Sequence, residues 1–280
     1  MGVTQSANGQ AIVWNGDAGR AWVEAQDLLD TLFAPIETLL ADEVAAIAPR
    51  DVLDVGCGTG ATTISFARRL GAGGHVVGVD ISEAMIEAAR ERASAARIDA
   101  AFLCADAATH GFETAAFDTV ASRFGVMFFD DPVRALANLR RAVRAGGALR
   151  FLVWRGMADN PFMVAAERAA APLLPDLPPR HDDAPGQFGF ADPVRVRRLH
   201  EQAGWSAVEV RPVDFPCSMA EADLETYFTR LGPVARVLGT LDETLRARVV
   251  EAVRAAFEPY VHGDEVRFTA ACWLVSATAA

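Results

Sequence analysis

Between residues 52 and 154, short apolar runs alternate with segments whose apolar positions recur at helical spacing. The runs lie at 52–56, 76–80, 100–104, 117–121 and 148–154, and the helical segments at 60–70, 83–95 and 131–144. This alternation predicts a parallel sheet with helices on both faces. Val76, Val77 and Val79, and then Phe151, Leu152 and Val153, form continuous apolar runs, as strands buried on both sides require. Ahead of this region Trp14 and Trp22 bracket a glycine-punctuated turn, and Leu28, Leu29, Leu32, Phe33, Ile36, Leu39 and Leu40 follow at helical spacing. Residues 1–48 are therefore expected to form an N-terminal helical cap on a main domain spanning 49–280.

After Trp154 the periodicity stops. Pro161, Pro172, Pro175, Pro178, Pro179 and Pro185, six of the fourteen prolines, fall in this window together with Phe162, Phe188 and Phe190. Long proline-rich insertions in compact domains are functional lids or disordered segments, and the aromatic residues favour a lid over about 156–191. Asp192-Pro193 restarts a helix with proline at its first position. A strand is expected over 205–213, helices broken at Gly232-Pro233 over 221–257, and a last strand over 266–276.

Composition narrows the class of partner. The chain has 280 residues, with 26 Lys+Arg against 37 Asp+Glu and a formal net charge of −11, which disfavours a nucleic-acid backbone as ligand. Cys57, Cys104, Cys217 and Cys272 show neither close pairing nor metal-ligand spacing and read as small core residues. No stretch reaches the roughly 18 uncharged apolar residues of a membrane span, so no membrane is expected as a partner, and the expected location is cytoplasmic. His75, His110 and His200 read as surface positions. Sequence leaves the oligomeric state open.

The chemistry concentrates in Asp54-Val55-Gly56-Cys57-Gly58-Thr59-Gly60, where a strand ends in an aspartate and three alternate glycines before a helix. Glycine lets a ligand approach the backbone closely, and the N–H groups at a helix start favour an anionic or accepting group. Asp54 attracts positive charge, so the pocket is electrically two-sided. The same letters satisfy a dinucleotide fingerprint, Gly56-Cys57-Gly58-Thr59-Gly60-Ala61 with Asp80 at the end of the next strand. A nucleotide-like cofactor is implied on either reading.

Taken with Val76-Val77-Gly78-Val79-Asp80-Ile81-Ser82 and Leu103-Cys104-Ala105-Asp106-Ala107, the D-x-G-x-G-x-G run resembles the class I S-adenosylmethionine-dependent methyltransferases, in order from about Asp51 to Trp154. The resemblance implies a doubly wound, Rossmann-like seven-stranded α/β sheet, mostly parallel, whose last strand inserts antiparallel between earlier ones. It also implies S-adenosyl-L-methionine as cofactor. Gly56, Cys57, Gly58 and Gly60 would let the backbone close over that cofactor, with Asp54 near its amino acid end. Asp80 would accept from the ribose hydroxyls, Ile81 and Met85 would sandwich the adenine, and Asp106 would receive the adenine amino group with Ala107 donating from its backbone. Ser122, Arg123 and Phe124 would face the methyl. Trp14 and Arg20 either touch the cofactor, Arg20 as cation for its carboxylate, or only anchor the cap.

Transfer of a methyl group from a sulfonium needs alignment of donor and acceptor and exclusion of water. Proximity and orientation alone can supply on the order of 7–11 kcal/mol of such a barrier, which is why no catalytic triad is expected. A small-molecule acceptor is anticipated, with Phe128, Trp154 and Phe188 as its lining and His181 as the first choice of general base. Asp182, Asp183, Tyr227 and His262 are the other available groups. No metal site is expected. Two alternatives stay open: an NAD-dependent oxidoreductase, and a non-catalytic protein that binds S-adenosylmethionine.

Overall fold

The structure, a computed structural model, describes residues 9–177, 180 and 184–280. Three helices, α1 (Gly9–Asn15), α2 (Asp17–Glu24) and α3 (Gln26–Ala45), lead into β1 (Asp51–Val55), α4 (Ala61–Leu70), β2 (His75–Asp80), α5 (Glu83–Ala96) and β3 (Ala101–Cys104). β4 (Phe117–Arg123), α6 (Pro132–Ala142), β5 (Val143–Trp154), α7 (Ala165–Ala170) and α8 (Pro193–Gln202) follow. The chain closes with β6 (Trp205–Ala220), α9 (Leu224–Arg230), α10 (Gly232–Leu238), α11 (Glu243–Ala256), the two-residue β7 (Val261–His262) and β8 (Glu265–Ala279).

The main sheet runs β3-β2-β1-β4-β5-β8-β6, with β7 paired to β8 beside that path. β1 to β5 are mutually parallel, and β8 lies antiparallel between β5 and β6. This is the expected sheet with its inserted last strand; β7 is an addition. Ala270, Cys272, Val275 and Ala279 of β8 are fully buried, in keeping with an interior position. β6 runs past the expected Val213 to Ala220 through Pro212 and Pro216. It lies at the sheet edge, where a strand tolerates residues that cannot donate to a ladder. Helix α6 stops at Ala142, short of the expected 144, because Val143 turns extended and pairs with Phe117.

The proline-rich window is fastened at both ends to β8. Asn160, fully buried, donates to Ala271 O at 3.0 Å and accepts from Ala271 N at 2.9 Å, while the Trp273 indole donates to Ala191 O at 2.8 Å. Between these anchors Phe162 stacks on Phe268 at 3.8 Å, and Phe188 and Phe190 are buried in the core. Phe162 and Phe188 also form cavity wall, while Phe190 packs against His200.

Two surface and core assignments change. Cys57, Cys217 and Cys272 are buried, but Cys104, the last residue of edge strand β3, is exposed; all four are free. His200 is fully buried, on the face of α8 that also buries Val196 and Leu199, with Phe151 and Phe190 against its ring. Its Nδ1 lies 2.8 Å from Val196 O, and its Nε2 has no partner among the described residues. Burial pushes its pKa down to about 4 from 6.5, so the neutral ring is the native form.

A histidine whose folded pKa is depressed supports the native state fully above its unfolded pKa and loses that support as pH falls. Wild type should therefore lose on the order of 3 kcal/mol between about pH 6.5 and pH 4 through this residue. His200→Phe removes the titration, and its urea midpoint should fall less steeply over that window. Parallel acid profiles of the two proteins would overturn the assignment.

Candidate active site

The β1–α4 connection is built around three left-handed glycines, and each meets a different constraint. Gly56 (φ +67°) is pressed on the turn after β4, where an added Cβ would lie 2.5 Å from Gly125 Cα. Gly60 (φ +85°) packs on α5, where a Cβ would meet Ala89 Cβ at 2.9 Å and Phe102 at 3.1 Å. Gly58 (φ +54°) faces open space: an added Cβ would meet nothing closer than Met85 Sδ at 3.8 Å. Of the three, only Gly58 has open space where a side chain would stand, while Gly56 and Gly60 are required by close packing.

Asp80 holds the loop in place. Its Oδ2 accepts from Gly58 N and its Oδ1 from Ser82 N, both at 2.9 Å. Burial raises its pKa, and these N–H donors act in the opposite direction. A carboxylate offers about four lone-pair sites, so two N–H donors leave acceptor capacity for ligand hydroxyls. Asp106 accepts from Ala108 N at 2.9 Å and Thr109 Oγ1 at 3.1 Å, which shapes the turn after β3 and also leaves acceptor capacity.

Asp54 is placed differently. It is fully buried below the loop, off the cavity lining, and its Oδ2 accepts from the hydroxyls of Thr62 and Thr63 at 2.6 Å each. Burial pushes its pKa up to about 6 from 3.8 despite those donors. Ser122 is also buried off the lining, donating to Val55 O at 2.7 Å and accepting from Gly125 N at 3.2 Å. Of the sequence-selected residues, Asp54, Gly60 and Ser122 thus support the site from behind. Gly56, Cys57, Gly58, Asp80, Ile81, Met85, Asp106, Ala107, Arg123 and Phe124 all line one cavity of about 1220 Å³. His181 lies outside the described residues, as do Asp182 and Asp183.

The N-terminal helices close one side of the same cavity. Trp14 lines it, edge-on to Trp22 at 5.9 Å and to Phe128 at 5.2 Å. Arg20 also lines it, but its side chain is 60% exposed and paired with the still more exposed Asp17. Asn15, not among the sequence-selected residues, fastens this cap to the turn between β2 and α5. Its amide donates to Ile81 O and accepts from Glu83 N, both at 3.0 Å. Its position at the end of α1, before Gly16, was the available signal. Arg92 was also passed over: it pairs with Asp30 of α3 and donates to Thr59 O and Oγ1 at 2.9 Å, tying the glycine loop to the cap.

Beyond the loop the cavity becomes aromatic. Phe124 stacks on Trp154 at 4.4 Å with an interplanar angle of 9°, and Phe33 stands edge-on to both. Past Trp154 the walls are Phe162, Met163, Ala166, Phe188, Tyr227 and Phe228, with the Glu167–Arg180 ion pair as the polar element. Among the described lining residues none is a histidine. Burial raises the Tyr227 phenol above its ordinary value.

A doubly wound sheet with a glycine turn after β1 and acceptors after β2 and β3 defines a protein that binds a nucleoside-bearing cofactor at the strands' carboxyl ends. Comparisons with known proteins narrow the class. A family profile described as a methyltransferase domain matches residues 52–147. The chain is 32% identical over 178 residues to the ubiquinone/menaquinone biosynthesis C-methyltransferase UbiE of Ralstonia pickettii (strain 12J), covering 59% of this chain and 71% of that enzyme. It is 36% identical over 120 residues to the aklanonic acid methyltransferase DauC of Streptomyces sp. (strain C5), covering 42% of this chain and about half, 54%, of that enzyme's length. The solved structure of the YcgJ protein from Bacillus subtilis shares the fold, with a TM-score of 0.57 at 15% identity over 86% of this chain and 97% of that one. The chain belongs to the class I S-adenosylmethionine-dependent methyltransferases, and its cofactor is S-adenosyl-L-methionine.

The residues present fit that cofactor, on the open backbone at Gly58 and the spare acceptor capacity of Asp80 and Asp106. Asp80→Ala should therefore lose S-adenosylhomocysteine binding by tenfold or more, roughly the worth of one or two charge-assisted hydrogen bonds. In thermal unfolding the ligand should raise the wild-type midpoint clearly more than that of the variant at the same concentration. Equal ligand-induced shifts in the two proteins would remove Asp80 from the site.

Proposed function

We propose that this protein methylates a small apolar or aromatic molecule bound in the lobe beyond Trp154, with the cofactor held between Gly58, Asp80 and Asp106. One observation carries the reading: the glycine-loop wall and the aromatic lobe belong to a single cavity of about 1220 Å³. A site for one drug-sized molecule is about 300–1,000 Å³, so this space suits two reactants side by side.

Bound S-adenosylmethionine supplies an electrophilic methyl group on a sulfonium. The chain's own part is to bind, orient and enclose. Ile81 and Met85, at the start of α5, offer apolar contact to the adenine, and Ala107 N is the backbone donor beside Asp106. Phe124 and Trp154, stacked face to face, stand between the cofactor half and the acceptor lobe and fix the line along which an acceptor approaches. Phe128 with Trp14, and Phe188 from the proline-rich window, shield that line from water. Alignment of this kind can lower a barrier by on the order of 7–11 kcal/mol without a dedicated nucleophile.

Several relatives support a small-molecule acceptor, among them enzymes named for aklanonic acid and for demethylmenaquinone. The lobe's lining points the same way: it is mostly aromatic and aliphatic, with Glu167 paired to Arg180, Arg230 to Glu24, and Arg236 adding a further positive charge. That lining suits an acceptor with a large apolar surface and a polar edge.

Ala166 lines the lobe without contributing to the glycine-loop wall, so Ala166→Trp should fill the acceptor space alone. Calorimetry should give the same S-adenosylhomocysteine affinity for both proteins within about threefold. Transfer of tritiated methyl to a panel of phenols, naphthoquinols and aromatic polyketide acids should fall at least about a hundredfold in the variant, a loss of roughly 2.7 kcal/mol. If cofactor affinity falls in parallel, the lobe is not a separate acceptor site. If wild type binds NAD and neither adenosyl compound, the methyl-transfer reading fails.

A further inference from the structure

We propose that Arg123, at the carboxyl end of β4, is the receptor for the cofactor's α-carboxylate, in place of the Arg20 that the sequence suggests. The inference rests on the methyl-transfer reading above and assigns one residue within it. Arg123 lines the cavity, yet its side chain makes no hydrogen bond or ion pair with any of the described residues. Its Nη1 is buried without a partner, and its guanidinium stands over the Phe33 ring at 5.9 Å from the centroid. Leaving a buried charged donor unpaired is costly, and a guanidinium offers five donors in a fork matched to a carboxylate.

The protein's own carboxylates near Arg123 do not fill that role. Asp30 is committed to Arg92; Asp54 gives its Oδ2 to the hydroxyls of Thr62 and Thr63, and its Oδ1, though without a partner, makes no ion pair with Arg123. Glu37 faces Arg123 electrostatically but does not lie on the cavity lining. Sheet order supplies the direction. Asp80 and Asp106 mark the nucleoside end, over β2 and β3, and the order continues through β1 to β4. A ligand crossing the glycine turn from Asp80 therefore reaches the end of β4, where Arg123 stands.

The residue's backbone is fixed from three sides, which is what a receptor requires. Phe124 N donates to Leu152 O at 2.9 Å, Ser122 Oγ donates to Val55 O, and Phe124 itself is held at φ +68°. Arg20 has the opposite character. Its ion pair with Asp17 lies in solvent, where such pairs are worth little.

The test separates the carboxylate from everything else in the ligand. S-adenosylhomocysteine and its decarboxylated analogue, S-adenosyl-3-thiopropylamine, are titrated calorimetrically into wild type, Arg123→Gln, Arg123→Lys and Arg20→Gln. Arg123→Gln should weaken S-adenosylhomocysteine about 10- to 100-fold and change the decarboxylated analogue less than about threefold. Arg123→Lys keeps the charge but loses the fork, so its selective loss should be smaller, about threefold to tenfold. That variant decides the matter if Arg123→Gln does not fold. Arg20→Gln should alter neither affinity by more than about twofold. Equal weakening of both ligands by the Arg123 variants, no change in either, or a selective loss in Arg20→Gln would each overturn the assignment. Failure of wild type to bind S-adenosylhomocysteine would instead strike the methyl-transfer reading on which it rests.

Discussion

The site depends on the close approach of two backbones at the point where the sheet's winding reverses. β1 and β4 are neighbours, yet β1 connects outward to β2 on one side while β4 connects onward to β5 on the other. Their carboxyl ends open into the crevice that this topology makes. Here Gly56 and Gly125 lie so near that a Cβ on either would come within about 2.6 Å of the other's Cα. The Ser122 hydroxyl ties the two turns together, donating to Val55 O and accepting from Gly125 N. Any side chain at either glycine would part the strand ends and move Gly58 and Arg123 relative to one another.

From that junction the rest of the cavity is positioned by short, mostly buried links. Val79 O receives both Gly56 N and Cys57 N, and Asp80 receives Gly58 N, so the glycine turn is fastened to β2 three times within three residues. Arg92 then connects the turn to α3, and Asn15 connects α1 to the start of α5. The cap is consequently registered to the loop by Asn15 and Trp14 at the end of α1 and by Asp30 within α3. A cap held this way transmits the position of the loop to the outer wall of the cavity.

Much of this was legible in the sequence, because parallel strands announce themselves as unbroken apolar runs and the glycine turn has a strict spacing. What the spacing could not say is which glycine serves the ligand. Gly56 answers to Gly125 and Gly60 to Ala89 and Phe102, residues 29 to 69 positions away, and only Gly58 has open space where a side chain would stand. Arg92 was illegible for a related reason: its partners lie in other elements, and a single polar residue in a helix carries no periodic signal. His200 was misread as surface because it sits in a run rich in arginine. The helix turns that one position inward, and a bond to Val196 O lets the ring be buried neutral. The proline-rich window was legible as a break in the pattern, while the burial of Phe162 depends on Phe268, in the last strand of the chain.

Asp54 shows how the site divides labour between contact and field. Its place at the end of β1 suggested contact with the ligand, yet the chain turns its carboxyl inward, under the first turn of α4. Two hydroxyl donors from successive residues of that turn fix where the helix begins, and with it the direction of the N–H groups at its start. Below about pH 6 the buried acid is protonated and contributes only this local order. Above it the group carries a charge beneath the glycine loop, in a medium where screening is weak. A cation over the loop is then favoured through the backbone instead of through a bond. Arg123 supplies the opposite charge at the end of the neighbouring strand, with Ala121, two residues before it, in register with Asp54. Adjacent strands thus place one negative group beneath the crevice and one positive group on its lining.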